Sequence, residues 1–381
     1  MQAAGRVPCE NPGIFVFLRM VRYTRRHVLR SLCCLPALAL SGGILGAFGM
    51  ASGHKNRHMN TPHDSGGPAS TQVSGSYEPP YLALHRKGEL AARGQILHDM
   101  MRHCTLCPRE CGTDRLSGRR GECKANATLE VSSFHAHFGE ERELVGANGS
   151  GTIFFTNCSL LCVFCINYDV SHLGRGSRSG IRALADMMLR LQDQGCHNIN
   201  LVTPTHYAPH ILLAIDRAAG RGLRLPIVYN TCGWEKTDIL ELLDGVVDVY
   251  LADFKYGESG AGDKYSAGAG NYTELTRRAL KEMHRQVGTA HPDPETGLVH
   301  RGLMIRHLVM PENVARTDLV VRWIADRLPR DTYLNILSQY TPMYKAFDYP
   351  EISRRISRSE YSNAVHFART AGLTNLRLQM Q

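Results

Sequence analysis

Three cysteines stand close together in the segment TNCSLLCVFCINYD, at residues 156–169, with the spacing C-x3-C-x2-C. Cys158, Cys162 and Cys165 would supply three thiolates to one centre. Four thiolates would complete a structural zinc site or a [4Fe–4S] cluster, whereas three leave one iron of such a cluster without a protein ligand. An open position is what a catalytic metal centre needs, because a substrate can fill it. A partial zinc site is the alternative interpretation of this spacing.

A second group of four cysteines lies upstream. Its members are Cys104, Cys107, Cys111 and Cys123. A complete set of four thiolates indicates a closed site, which would hold zinc or an auxiliary iron–sulfur cluster. Pairing into disulfides is the alternative, although tight clusters in a chain with a large core favour metal. The isolated Cys196 and Cys232 are expected in the core, where free cysteine packs as a small hydrophobic residue.

Alternating strand and helix patterns must position these groups. Six segments are apolar and rich in β-formers, at residues 151–156, 198–205, 226–233, 247–256, 303–311 and 332–342. Amphipathic helical patterns lie between them; in the first, one face carries Ile181, Leu184, Met188 and Leu191. This alternation predicts an α/β fold with a parallel sheet. The three-cysteine loop follows the first strand, so we expect it at the carboxyl-end edge of the sheet.

Seven motifs, in order along residues 82–342, carry a specific resemblance. They are CTLCPRECGTDRLSGRRGEC, HFGEERELVGANGSGTIFFTNCSLLCVFCINYDVS, NLVTPTHYAPHIL, VYNTCGWE, VYLADFKY, IRHLVMP and LNILSQYTP. With the aromatic Phe164 just before the third cysteine of the loop, the chain resembles the radical S-adenosylmethionine (SAM) superfamily, in the branch related to pyruvate formate-lyase activating enzymes. The resemblance implies a partial (β/α)6 TIM-like barrel with an N-terminal Cys-rich extension.

The same resemblance implies an activity. Members of the superfamily bind a [4Fe–4S] cluster and SAM, and an electron from the cluster splits SAM into methionine and a 5′-deoxyadenosyl radical that abstracts hydrogen from a substrate. The activating enzymes take this hydrogen from a glycine of a partner enzyme. A protein substrate and a low-potential electron donor are therefore the implied partners. A non-enzymatic iron–sulfur electron carrier, or a metal-stabilised binding protein, is the alternative function.

Six residues are candidates for binding SAM. They are Thr203, Thr205, Asn230, Thr231, Asp253 and Lys255. The superfamily's usual Gly-Gly-Glu after the second strand is absent, and the turn at 203–206 stands in its place, although Thr205 would equally serve to cap the next helix. The other four match a strand-end Asp-Thr and an Asp-x-Lys of the activating enzymes. Asn230 replaces a carboxylate there, which weakens that family's cation site.

The candidate pair on the fourth predicted strand has an alternative role as an ion pair at the rim. Strand alternation places Leu251 and Asp253 on one face, expected to line the cavity, and Phe254 on the opposite face, toward the helices. Arg306 and His307 follow on the fifth strand as candidates to face the cavity. A lone histidine there is more often a hydrogen-bonded core residue than an acid–base catalyst.

The N-terminal 51 residues have the layout of a leader peptide. Arg25-Arg26 precedes a charge-free, weakly hydrophobic stretch at 31–51, and together they resemble a twin-arginine signal. A single membrane anchor is the alternative. The leader predicts export or membrane tethering, and a cytoplasmic location is the alternative. The polar residues 52–81, rich in Gly, Ser and Pro, predict a flexible linker.

The rest of the chain is expected to hold three parts: a helix with the Cys-rich metal-binding extension at 82–145, a radical SAM core at 146–345, and a C-terminal helix and strand at 346–381. The formal net charge is +9, but residues 1–30 alone hold six arginines against one acid, Glu10. Elsewhere no basic run is interleaved with aromatic residues, so nucleic acid is not an expected partner.

Overall fold

Residues 77–379 are the part of the chain that the computed structural model describes. The predicted leader at 1–51, and the predicted linker up to residue 76, lie outside the described residues. The chain is already packed at the start of this region. The Tyr77 hydroxyl donates a hydrogen bond of 2.5 Å to Asp248 Oδ1, and Tyr81 is fully buried.

A single sheet of nine strands runs through the described region. The strands are β1 (Leu129–His137), β2 (Ser150–Phe155), β3 (Ser177–Ser179), β4 (Ile199–Val202), β5 (Ile227–Thr231), β6 (Val249–Asp253), β7 (Gly302–Leu308), β8 (Tyr333–Leu337) and β9 (Leu376–Leu378). Their order across the sheet is β3-β1-β2-β4-β5-β6-β7-β8-β9. Neighbours from β2 to β9 are parallel, whereas β1 pairs antiparallel with β2 and with β3. The predicted α/β fold with a mostly parallel sheet is confirmed.

Helices lie before β1 and in the connections between the strands. They are α1 (Tyr81–Arg86), α2 (Glu89–Asp99), α3 (Arg142–Val145), α4 (Tyr168–Ser171), α5 (Ile181–Asp193), α6 (Ala208–Ala219), α7 (Thr237–Leu242), α8 (Ser259–Tyr265), α9 (Tyr272–Val287), α10 (Thr317–Arg327) and α11 (Arg358–Thr370). On α5, Leu184, Met188 and Leu191 are buried as the apolar pattern predicted, while Ile181 at its first residue is half-buried. Among residues 77–379, no helix is long and apolar enough to cross a membrane.

The six strands predicted from apolar runs are β2, β4, β5, β6, β7 and β8. Two strands, β1 and β3, were missed. β1 lies in the segment expected to belong to the Cys-rich extension. It contains polar and aromatic side chains, and its strand conformation is held by antiparallel pairing with β2, from Val131 opposite Phe155 to His137 opposite Ser150. Pairing of this kind depends on contacts with another segment, so the sequence of β1 alone shows little of the apolar pattern that marks a strand.

The two faces of the sheet carry different side chains. One face packs against the helices, and its residues include Tyr229, Tyr250, Ile305 and Ile336. The other face, which we call the site face, carries a smaller apolar cluster that includes Val228, Val249, Leu251, Met304 and Tyr333. Alternation along the strands puts Asn230, Asp253, Arg306 and Asn335 on the site face as well, closer to the carboxyl ends of β5 to β8. Polar side chains from four neighbouring strands therefore meet at that edge.

Candidate functional site

The three-cysteine loop begins directly after β2, at the carboxyl edge of the parallel strands. Cys162 is buried, Cys158 and Cys165 are half-buried, and all three are free thiols. The Ser266 hydroxyl donates to Cys162 Sγ at 3.3 Å, and Cys165 Sγ lies 3.2 Å from Ser171 Oγ. Two of the three sulfurs therefore lie beside hydroxyl groups, at the edge where ligands of parallel sheets bind.

The sulfurs of this loop influence one another. Burial raises the pKa of the Cys158 thiol to about 12, and the neighbouring Cys162 and Cys165 act in the same direction. Burial also raises the pKa of Cys162, which the charge of Lys255 opposes. Among residues 77–379, no three His, Cys, Asp or Glu side chains surround a common point at the spacing of ligands to one metal ion. Buried thiols become thiolates when a metal cation is bound, so the donor chemistry fits an iron–sulfur cluster.

Asp253 and Lys255 belong to a network of charges on the site face. Lys255 Nζ lies 2.7 Å from Asp253 Oδ2, and Arg306 Nε donates to Asp253 Oδ1 at 3.0 Å. Arg306 also donates to Asn230 Oδ1 at 2.5 Å and to Glu140 Oε2 at 3.2 Å. The ion pair considered from the sequence is therefore present, and it is one part of a larger network.

The ionisation of this network follows from its pairing. Burial acts to raise the pKa of Asp253, but the charges of Lys255 and Arg306 hold that pKa below its usual range. Burial acts to lower the pKa of Lys255, and Asp253 more than compensates, so that pKa is raised. For Glu140, burial outweighs the charge of Arg306 and the pKa is raised. The two cations and Asp253 are therefore charged at neutral pH.

The orientation of the strand residues agrees with their alternation. Leu251 packs in the apolar cluster of the site face, whereas Phe254 packs on Trp323 of α10, with ring centroids 5.5 Å apart. Arg306 points to the site face, but His307 does not. Its ring nitrogens lie 2.6 Å from the Phe254 carbonyl oxygen and 2.8 Å from Thr317 Oγ1, and burial lowers its pKa to about 4. His307 is a hydrogen-bonded core residue.

Thr205, from the turn after β4, and Thr231, the last residue of β5, meet at one buried carboxyl group. Thr205 Oγ1 donates to Glu235 Oε1 at 2.6 Å, and Thr231 Oγ1 donates to the same oxygen. Thr205 therefore does not cap α6, whose N-terminus has no side-chain cap. Burial raises the pKa of Glu235 to about 7, and its Oε2 has no hydrogen-bond partner among the described residues. Thr203 lies in the same turn, where its N–H donates to the Asn230 carbonyl at 2.9 Å.

The four upstream cysteines lie in a knuckle at 104–123 and are all free thiols, buried except for the half-buried Cys111. Arg109 of this knuckle donates from Nε to the Ser159 carbonyl at 2.6 Å and from Nη2 to the Leu160 carbonyl at 3.4 Å. The two cysteine-bearing segments are therefore in direct contact.

The sequence matches no known family profile. It is 31% identical over 284 residues to the uncharacterized protein MJ0674 of Methanocaldococcus jannaschii, an alignment that covers 72% of this chain and 76% of that protein. The chain belongs to the family of this archaeal protein. The name of the relative states no activity, so the functional argument rests on the residues of the site.

Two acids of the site, the buried Glu235 and the half-buried Glu140, were missed from the sequence. Glu235 lies four residues after Thr231 in VYNTCGWE, one of the motifs that carry the resemblance, so a signal was present. Glu140 lies between β1 and α3 in HFGEERELVGANGSGTIFFTNCSLLCVFCINYDVS, another of these motifs, so a signal was present for it too. Of the six predicted SAM-binding residues, the structure brings Asn230, Asp253 and Lys255 into one network. It joins Thr205 and Thr231 through Glu235, with Thr203 in the adjoining turn.

Proposed function

We propose that the protein is a radical SAM enzyme resembling the pyruvate formate-lyase activating enzymes, built on a partial (β/α)6 TIM-like barrel. One observation carries the proposal. Three free cysteines with C-x3-C-x2-C spacing occupy one loop at the carboxyl edge of six parallel strands that follow chain order, β2-β4-β5-β6-β7-β8. Parallel α/β proteins bind their ligands at that edge.

The three thiols of the loop would bind three irons of a [4Fe–4S] cluster and leave the fourth iron to SAM. A cluster bound there supplies the electron that splits SAM into methionine and a 5′-deoxyadenosyl radical, which takes hydrogen from the substrate. The chain's own part is to hold the loop and exclude water. Phe164 is buried between Tyr256 and Tyr340, at ring centroid distances of 6.4 and 5.9 Å, and Ser266 donates to Cys162 Sγ.

The residues at the neighbouring strand ends would receive the charged end of SAM. Asp253 offers an acceptor to the ammonium group and Lys255 a donor to the carboxylate. The hydroxyls of Thr205 and Thr231 already donate to Glu235. Thr231 Oγ1 also accepts from the Gly233 N–H at 3.2 Å, so its second lone pair and the lone pairs of Thr205 Oγ1 are left to accept from an ammonium group. Asn230 and Thr203 would support this site through Arg306 and through the backbone of the turn.

The proposed substrate is a protein from which hydrogen is taken, such as a glycyl-radical enzyme, and the electron comes from a low-potential donor. A simple iron–sulfur electron carrier would use the same cysteines. It would have no use for the half-buried network of Glu140, Arg306, Asp253 and Lys255 beside them. This network, built from three separate segments, supports an enzyme with a SAM site rather than a carrier.

The proposal is tested by SAM cleavage. The full chain is reconstituted anaerobically with iron and sulfide and given dithionite and SAM, and methionine and 5′-deoxyadenosine are measured. Cys162→Ala is expected to abolish cleavage while circular dichroism stays unchanged, and Cys196→Ser, at a buried cysteine outside both groups, is the control. Cleavage near the wild-type rate in Cys162→Ala would refute the assignment. A chain that binds a cluster but never cleaves SAM would favour the electron carrier.

A further inference from the structure

Two of the four upstream cysteines, Cys107 and Cys123, lie in tight turns, and Cys111 directly follows the first of these turns. The first turn closes with a backbone hydrogen bond of 3.0 Å to the Cys107 carbonyl, and the second with one of 2.8 Å to the Gly121 carbonyl. A Cβ atom at Gly121 would lie 3.1 Å from Cys111 Sγ and 3.7 Å from Cys123 Sγ. Glycine therefore lets the two segments approach, so that the sulfurs of Cys111 and Cys123 both lie beside Gly121.

Arg115 is fully buried beside these sulfurs, with 0% of its surface exposed. Its Nη1 lies 3.7 Å from Cys104 Sγ, and its Nη2 donates to the Asn126 carbonyl at 2.8 Å. Within residues 77–379 the hydrogen bonds of its side chain go only to this sulfur and this carbonyl, and no carboxylate forms a salt bridge with it. A guanidinium keeps its charge at any physiological pH, and a buried charge is almost always paired.

The titratable neighbours of Arg115 do not provide the missing negative charge. Burial, reinforced by Arg115, lowers the pKa of His206 to about 3, and burial lowers that of His210 to about 4. Both rings are therefore neutral, and each has one nitrogen 2.8 Å from a backbone carbonyl, of Thr156 and Ala127 respectively. The thiols beside Arg115 are the groups that can become anionic.

We propose that Cys104, Cys107, Cys111 and Cys123 bind a second metal centre as four thiolates, with Arg115 as its buried counter-cation. Zinc, or an iron–sulfur cluster, held by four thiolates keeps a net negative charge. Binding releases the four thiol protons and forms four metal–sulfur bonds, so the charge that faces Arg115 arises as the metal binds. Disulfides at these positions would be neutral and would leave the guanidinium unpaired.

The first experiment separates this centre from the proposed catalytic one. The full-length triple variant Cys158→Ala, Cys162→Ala and Cys165→Ala is purified anaerobically, and its zinc, iron and sulfide are measured. We expect it to keep a stoichiometric amount of zinc, or of iron with sulfide, and to lose it when Cys107→Ser and Cys111→Ser are added. A folded triple variant without metal, or with disulfides among the upstream cysteines, overturns the proposal. Either result leaves the proposed SAM chemistry untouched.

The second experiment tests the role of Arg115 in that triple variant. Arg115→Gln, which keeps a donor for Asn126 but not the charge, is expected to transfer metal to a chromogenic chelator at least about tenfold faster. Arg115→Lys is expected to stay within about threefold of the parent. Arg119→Gln, at an exposed arginine of the same segment, is the matched control. Equal rates of metal transfer for Arg115→Gln and Arg119→Gln would overturn the proposal that Arg115 is the counter-cation of the metal centre.

If Arg115→Gln does not fold, a measurement on the triple cysteine variant itself tests the proposal. Removal of the metal from the triple variant should lower its thermal midpoint, because metal bound only to the folded chain stabilises it and because Arg115 then loses its counter-charge. An unchanged midpoint after complete removal of the metal overturns the proposal.

Discussion

Arg109 and Ser159 are joined by a hydrogen bond of 2.6 Å from the guanidinium Nε to the backbone carbonyl. The same guanidinium donates to the carbonyls of Leu160 at 3.4 Å and Ala267 at 3.1 Å. Ser159 directly follows Cys158. One side chain of the upstream knuckle therefore holds the loop that carries the three-cysteine group.

Arg109→Ala is expected to lower SAM cleavage by about tenfold or more, because a loop that loses its fixed donors no longer presents its thiols in one geometry. Iron should also leave the reconstituted chain faster on exposure to a chelator. Arg119→Ala, which removes an exposed arginine, is the control. Wild-type cleavage and iron retention in Arg109→Ala would show that the contact is incidental.

Lys255→Ala is expected to weaken SAM binding by about tenfold or more, roughly 1.4 kcal/mol, without loss of iron. The ammonium group of Lys255 lies at the strand end beside the cysteine loop. In the variant, Asp253 would keep Arg306 as its partner. Calorimetry with the reconstituted chain measures the effect, with the exposed Lys281→Ala as control. SAM affinity that does not change, with the cluster intact, would reduce Lys255 to a member of a rim ion pair.

Glu235→Ala removes the common acceptor of the Thr205 and Thr231 hydroxyls. We expect the free energy of unfolding to fall by about 1–3 kcal/mol, since buried hydroxyls lose their partner, and the KM for SAM to rise. Glu235→Gln keeps an acceptor oxygen and should lose less of both. Urea unfolding and SAM titration measure the two effects, and the exposed Glu274→Ala is the control. If Glu235→Gln lowers stability and SAM binding as much as Glu235→Ala does, Glu235 does not act as the acceptor for the two threonine hydroxyls.

Asp248 is expected to make stability depend on pH. Burial raises its pKa to about 7. Two hydrogen bonds act in the opposite direction, from the Ile227 N–H to Oδ2 at 2.7 Å and from the Tyr77 hydroxyl to Oδ1. Between about pH 4 and 7 the folded chain keeps this proton while the unfolded chain has lost it. The stabilisation is therefore complete below about pH 4 and is lost as pH rises through about 7, with a magnitude on the order of 4 kcal/mol.

Asp248→Asn should flatten this dependence. Anaerobic urea unfolding at pH 5 and pH 7.5 should show a smaller loss of stability in the variant than in the wild type. Some slope remains, because burial also raises the pKa of Glu235. Asp263→Asn, at an exposed position, should keep the wild-type slope. The same slope in Asp248→Asn would mean that another group titrates.

Local patterns were sufficient for the α/β fold with a mostly parallel sheet. They also marked the two cysteine groups, whose metal binding stays a prediction. The periodicities of strands and helices report which side chains are buried, because each element must turn its apolar face to the core. The opposite orientations of Leu251 and Phe254 followed from alternation alone. Metal-binding spacing is equally local, since the ligands of one turn are neighbours in sequence.

Only the tertiary structure decided the partners of the charged residues. Glu140 meets Arg306 and Asn230 across 166 and 90 residues of chain, and Thr205 meets Glu235 across 30. The sequence predicted that Arg306 would face the cavity, but it did not predict which carboxylates pair with Arg306. It also did not predict that Arg115 would be buried without a carboxylate partner. Such contacts depend on which strands become neighbours and where their turns point, and those are set by the packing of the whole sheet.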